Sequence, residues 1–217
     1  MPTTLRGIAG TLDHSILQPF LTVEGTAGGA YCAMEERDYR ALFQEMHPGF
    51  FASEGIRTLP EEWTYEEMIL PLGEYSPEAV CIPVPEGLVF GWYRGSLEEL
   101  RRAVARVDDQ WPQYFNHSDR VFYATADGEL ASFCIVEDMG SFRGLKIGGP
   151  GCVGTVPEYR RQGIGLRLVQ LATGILKDQG YDLSYIHYTA VAPWYAKLGY
   201  QTVLKWNGRG FLDGKDT

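Results

Sequence analysis

Residues 153–165 read Val-Gly-Thr-Val-Pro-Glu-Tyr-Arg-Arg-Gln-Gly-Ile-Gly, and they constrain the fold more tightly than any other stretch of the chain. A β-branched run leads into Pro157, which has no backbone N–H and cannot continue a sheet ladder. A glycine-punctuated loop follows. Beyond it Ile164, Leu168, Leu171 and Ile175 recur at steps of four, three and four, the spacing of one helix face. Gly180, shortly after Lys177, is a stop signal. Strand, loop and helix in that order aim consecutive backbone N–H groups and a helix N-terminus at one place. Such a place holds an anion, most naturally a pyrophosphate. Gly163 and Gly165 carry no Cβ, so phosphate oxygens can approach the backbone there. Arg160 and Arg161 add positive charge beside them.

The spacing Arg160-x-x-Gly163-x-Gly165 resembles the acyl-CoA loop of the GNAT acyltransferases (Gcn5-related N-acetyltransferases), whose pattern is Gln/Arg-x-x-Gly-x-Gly/Ala. A second segment, Val191-Ala-Pro-Trp-Tyr-Ala-Lys-Leu-Gly-Tyr200, resembles the other signature of that family, a helix with an aromatic–Tyr pair that ends in Leu-Gly-aromatic. Here the pair is Trp194-Tyr195 and the ending is Leu198-Gly199-Tyr200. The resemblance covers residues 87–217 and implies the GNAT fold: an α/β (α+β) domain with a mixed, mostly antiparallel sheet and helices on both faces. It implies acetyl-CoA as co-substrate, with no metal. The residues implied in binding it are Val153, Thr155 and Val156 on the strand and Arg160, Arg161, Gln162, Gly163, Ile164, Gly165 and Leu166 after it. The backbone N–H groups of Val153 to Val156 are expected to be free to meet the pantetheine and the thioester oxygen. Tyr195 matches the family Tyr near the CoA sulfur and is the implied general acid for the leaving thiolate. Many members carry Asn seven residues before that Tyr; this chain has Tyr188, so a side-chain contact to CoA does not carry over.

The implied activity is direct transfer of an acetyl group to a small-molecule or peptide amine in a ternary complex. The competing reading is a non-catalytic acyl-CoA-binding sensor or interaction module on the same fold. The resemblance names no acceptor and supplies no general base; Glu137 and Asp138 are candidates by position only.

Composition is consistent with this. With 217 residues, 45% hydrophobic and 22% charged, the chain has the make-up of a soluble globular protein with a proper core. Residues 1–10 hold no continuous apolar run, and no stretch approaches about eighteen apolar residues, so neither a signal peptide nor a membrane span is expected. Cys32, Cys81, Cys134 and Cys152 form no Cys-x-x-Cys pair, which fits free thiols in a cytoplasmic protein. His14, His47, His117 and His187 lack ligand-like spacing. Gly149-Pro-Gly151-Cys-Val-Gly154 matches the dinucleotide fingerprint, but strand residues and Pro157 follow where that fingerprint needs a helix.

The net charge of −9 is unevenly placed. Residues 1–86 hold 14 acids against 4 arginines, a net of −10, and residues 87–217 are close to neutral. No basic stripe points to nucleic acid, while the acidic part would attract a cationic amine. Glu61, Glu62, Glu66 and Glu67 are read as solvated surface or as part of that attraction. Residues 1–86 are expected to be an acidic extension packed on the 87–217 core, and a homodimer is compatible with the sequence. Helices are expected over Glu35–Met46 and Pro60–Ile69, with a loop at Gly25–Gly29. In the core, strands are expected at Leu88–Tyr93, Val121–Ala126, Glu129–Val136, up to Val156, Leu183–Tyr188 and Thr202–Trp206. A helix capped by Ser96 and a short one within Asp109–Phe115 complete the list.

Overall fold

The computed structural model of the chain describes residues 34–212, so His14, Cys32 and the Gly25–Gly29 loop lie outside the described residues. In chain order the elements are α1 (Glu36–Met46), α2 (Glu54–Arg57), β1 (Tyr65–Pro71), β2 (Val89–Trp92), α3 (Leu97–Ala105), β3 (Val121–Ala126) and β4 (Glu129–Phe142). They continue with β5 (Leu145–Thr155), α4 (Ile164–Asp178), β6 (Leu183–Thr189), α5 (Ala192–Tyr195), β7 (Gln201–Asn207) and β8 (Gly210–Phe211). The residues divide into two compact units, one of 34–75, 138–149 and 177–212, the other of 76–137 and 150–176. Strands β4 and β5 contribute residues to both.

In the first unit the strands run in the order β4-β5-β6-β1-β7-β8. The parallel pair β5/β6 covers Ile147↔Leu183 and Gly148↔Ser184, while β1 is antiparallel to both β6 and β7. Helix α1 starts where the Asp38 carboxylate accepts the Glu35 N–H at 2.9 Å, and it turns Tyr39, Leu42 and Phe43 onto a core with Ile69, Tyr185, Val203 and Trp206. The helix expected over Pro60–Ile69 is instead a turn that leads into strand β1 from Tyr65. Met68, Ile69, Leu70 and Leu72 are all buried, and a strand enclosed on both sides is the element that buries a continuous apolar run. Part of the 1–86 segment is therefore an interior strand of this sheet.

Gly149 shows how tight the first unit is. A Cβ there would overlap the Tyr185 carbonyl oxygen, a backbone atom that cannot swing away. Gly149→Ala is accordingly expected to cost about 3 kcal/mol, and a urea midpoint within error of wild type would contradict it.

In the second unit the order is β2-β3-β4-β5. Asp127 (φ 51°) and Gly128 (φ 84°) both sit in the left-handed region, the two-residue turn that matches strand twist, and they join β3 to β4. The Ser96 side chain accepts the Glu99 N–H at 3.2 Å and caps α3. The expected second short helix is a 3₁₀ turn, Trp111–Tyr114. Leu100, Val104, Phe115, Val121, Phe133, Ile135 and Val156 make the core. The buried ridge of α4 is Ile164, Leu168, Ala172 and Leu176, a strict four-residue row; Leu171 and Ile175, expected on that face, are only half-buried. The Val80 carbonyl, in the segment before β2, accepts the Gln170 amide of α4 at 2.7 Å. Gly180 ends the α4 region as expected, at φ 76° with its N–H on the Lys177 carbonyl. Among the described residues no helix is long and apolar enough to cross a membrane.

Candidate active site

The loop before α4 lies wholly within the second unit. Pro157 opens a 3₁₀ turn, and Glu158 pairs with Arg106 just past α3, which pins the turn. Arg160 donates from Nε to the Thr155 carbonyl at 2.9 Å while remaining exposed at the surface. Arg161 (φ 63°) and Gly163 (φ 79°), with Gln162 between them, both adopt left-handed backbone, a local curl of the kind that turns successive N–H groups toward an anion. The first helical bond runs from Arg167 N–H to the Gly163 carbonyl at 2.9 Å. The N–H groups of Ile164, Gly165 and Leu166 therefore stand at the open N-terminus of α4. Curled backbone donors, two exposed guanidinium groups and a helix N-terminus fit a pyrophosphate in both charge and direction.

Gly163 is required twice. Its φ of 79° disfavours any side chain, and a Cβ there would strike the Pro83 carbonyl oxygen.

The strand side of the site departs from the expectation in one place. The Val156 N–H is not free: it donates to the Ala131 carbonyl at 3.0 Å, and Val156 is fully buried. The cause is its place in the core, where an unpaired N–H would carry the full desolvation cost. The Thr155 hydroxyl meets Ser132 Oγ at 3.0 Å, and Ser132 also bonds the Gly154 carbonyl. Cys152 adopts φ 46°, a local break in the regular strand of the kind found beside ligand sites. Val153 and Thr155 are half-buried.

Tyr195 belongs to the first unit. It ends α5, is 7% exposed, and packs edge-on against Trp194 and Tyr200. Gly199 closes the segment at φ 94°, and the Tyr200 hydroxyl meets Ser184 Oγ at 2.6 Å. The Leu-Gly-Tyr ending is thus a helix stop followed by a buried anchor.

The first unit also holds a polar cluster that sequence reasoning missed. Glu67, read as solvated surface, is fully buried. Its carboxylate accepts from Trp206 Nε1 at 2.7 Å, from the Tyr188 N–H at 3.1 Å and from His187 Nδ1 at 2.9 Å. Burial pushes the carboxyl upward, but the His187 charge and the hydrogen bonds from His187 and Trp206 outweigh it and hold it below the usual carboxylate range. His47 stacks on His187 with ring centroids 3.7 Å apart, and its buried Nε2 has no partner among the described residues. The signal for the cluster lay in the sequence, in two acids directly preceding Met68-Ile69-Leu70.

His47 has a measurable consequence. Burial, and next the nearby His187 charge, lower its pKa to about 4. Between pH 6.5 and that value the unfolded ring takes a proton that the folded ring refuses. Stability should therefore fall as pH drops through this window, by about 2 kcal/mol after allowance for partial exposure. Thermal midpoints of wild type and His47→Phe across that range test it, and equal slopes would contradict it.

The family model described as an acetyltransferase (GNAT) domain matches residues 117–202, a stretch that contains the α4 loop and Tyr195. Over residues 117–202 the chain is similar to a GNAT acetyltransferase domain. Its fold is similar to the glucosamine N-acetyltransferase region of a fungal multi-domain GH3 β-N-acetylglucosaminidase, at 20% identity and a TM-score of 0.57, over 78% of this chain and 22% of that one. GCN5-related N-acetyltransferases from Sphaerobacter thermophilus (16% identity, TM-score 0.47, 82% of this chain and 59% of that one) and Kribbella flavida (18%, 0.46, 75% and 63%) are also similar. The chain spans less than two thirds of each of these three. No curated protein matches.

The two positional base candidates, Glu137 and Asp138, have distinct surroundings. Glu137 lines an open hollow of about 550 Å³ with Tyr114, Asn116, His117, Arg120 and Ile135, all in the second unit. Asp138 spends its carboxylate on the Gly140 N–H at 3.0 Å. Burial raises the thiols of Cys134 and Cys152, the latter to about 12, so both stay protonated and are poor nucleophiles.

Proposed function

We propose that this GNAT domain transfers the acetyl group of acetyl-CoA directly to an amine in a ternary complex. The observation that carries the reading is the α4 loop, in which left-handed Arg161 and Gly163 and the open helix N-terminus form one cradle for a pyrophosphate. Arg160 to Leu166 would hold the phosphates. Backbone donors near Cys152 and Val153 would polarise the thioester carbonyl; one donor aimed at a developing oxyanion is worth about 3 kcal/mol. Most of the acceleration would come from holding amine and thioester together. Tyr195 would protonate the leaving thiolate.

Of the four acids first read as drawing a cationic acceptor, three are already engaged. Glu67 is buried, Glu66 accepts from Thr202, and Glu61 pairs with Arg209. The acceptor in this reading is defined by its amine rather than by that cluster.

Replacement of Tyr195 by Phe tests the acid. A proton given only as the C–S bond breaks acts on the transition state, so kcat should fall about 10²-fold with little change in KM for acetyl-CoA. Free-thiol release across pH is the readout. Wild-type kcat throughout the profile would make Tyr195 a packing residue only.

A further inference from the structure

The neighbourhood of Glu67 is built to orient one imidazole. An ionised carboxylate only accepts hydrogen bonds, so His187 Nδ1, at 2.9 Å, must carry the hydrogen. In the neutral ring the lone pair then lies on Nε2. Among the described residues no group bonds that nitrogen, and the side chain is 22% exposed, which leaves Nε2 as the nitrogen open to a ligand. The backbone bends to keep this arrangement. Strand β1 shifts register at Glu67 against both neighbours, and Tyr188, whose N–H the same carboxylate accepts, is held at φ 58°. A bulge and a left-handed tyrosine at one carboxylate are local costs that apolar packing does not demand.

Resting on the acetyl-transfer reading, we propose that His187 accepts the proton of the incoming ammonium and that Glu67 is its positioning residue. The groups facing His187 are Glu67 and, near it, Tyr65 from β1; Tyr185 and Tyr188 from β6; Trp206 from β7; Phe43 from α1; and His47 and Phe50 from the chain after it. Phe50 and Tyr188 stand edge-on to the His187 ring, with centroids 5.1 and 5.9 Å away, so the imidazole lies among aromatic rings that suit an amine on an apolar body. Glu67 stabilises the imidazolium that forms.

The step balances as follows. The ammonium gives one proton to Nε2. The freed nitrogen attacks the thioester carbonyl, the C–N bond forms, and the C–S bond breaks. Sulfur leaves as thiolate and takes a proton from the general acid, which is restored by the second proton shed from nitrogen. The proton on His187 passes to water.

The test uses the full chain with acetyl-CoA and four amines: butylamine, phenethylamine, glucosamine and a lysine-containing peptide. For His187→Ala, kcat/KM for the amine should fall about 10²-fold, with KM for acetyl-CoA unchanged. The rise of activity on the acid side of the pH profile should disappear, and added imidazole should restore part of the rate. Glu67→Gln should lower kcat and displace that acid-side rise. A wild-type acid-side rise in His187→Ala overturns the proposal. A second measurement needs no acceptor. Long-range proton–nitrogen spectra of the wild-type imidazoles at about pH 8 should show His187 with Nδ1 protonated and Nε2 bare, and a hydrogen on Nε2 overturns the proposal. Absence of turnover in wild type with every amine would count against acetyl transfer, while the spectrum still decides the role of His187.

Discussion

Glu67→Ala is expected to lower the unfolding free energy by about 3–5 kcal/mol. The variant takes the carboxylate away from the buried Trp206 Nε1–H and from the His187 and Tyr188 N–H groups that also bond it, and a buried donor left without its acceptor costs about 1–3 kcal/mol. It also opens a void in a fully buried place. Glu67→Gln, which keeps the volume and one acceptor, should cost far less. The carboxyl is held below its ordinary range in the fold, so its stabilisation is present above the unfolded pKa and is lost as pH falls through the folded value. Urea midpoints at neutral and acid pH should show the Glu67→Ala deficit shrinking toward acid. A deficit below about 1 kcal/mol at neutral pH would mean the cluster does not hold this unit together.

Gly163→Asp is expected to weaken CoA binding by more than about 100-fold, a loss of about 2.7 kcal/mol. Three effects act in the same direction. A side chain at φ 79° is strained, a Cβ would push on the Pro83 carbonyl, and a carboxylate would repel the phosphates. Gly163→Ala shares the first two effects and lacks the third. Calorimetry on the pair, with thermal melts to confirm that each is folded, isolates the charge. Equal CoA affinity in Gly163→Asp and wild type would remove the loop as the binding site.

The parts of the fold written in local chemistry were legible. The Ser96 cap and the Gly180 stop depend on residues within a few positions of each other, and each appears where the spacing puts it. Strand β1 was not legible from Pro60 and its following acids, because its identity is decided by β6 and β7 on either side, far away in sequence. The same distance hid Glu67: its partners are His187, Tyr188 and Trp206, and no spacing rule links them. Val156 failed as a free donor for a similar reason, since the Ala131 carbonyl that claims its N–H belongs to another strand. The loop before α4 is local in the same way: its left-handed turn at Arg161 and Gly163 and the helix that follows are built from consecutive residues.

The central claim is most directly tested by incubating the full chain with acetyl-CoA and the four amines, scoring free thiol and N-acetylated product together by mass spectrometry. The account predicts thiol and acetylated amine in equal amounts from wild type, with both lost in Gly163→Asp. Bound acetyl-CoA with no acetylated amine from any of the four would contradict it and leave a binding module on the GNAT fold.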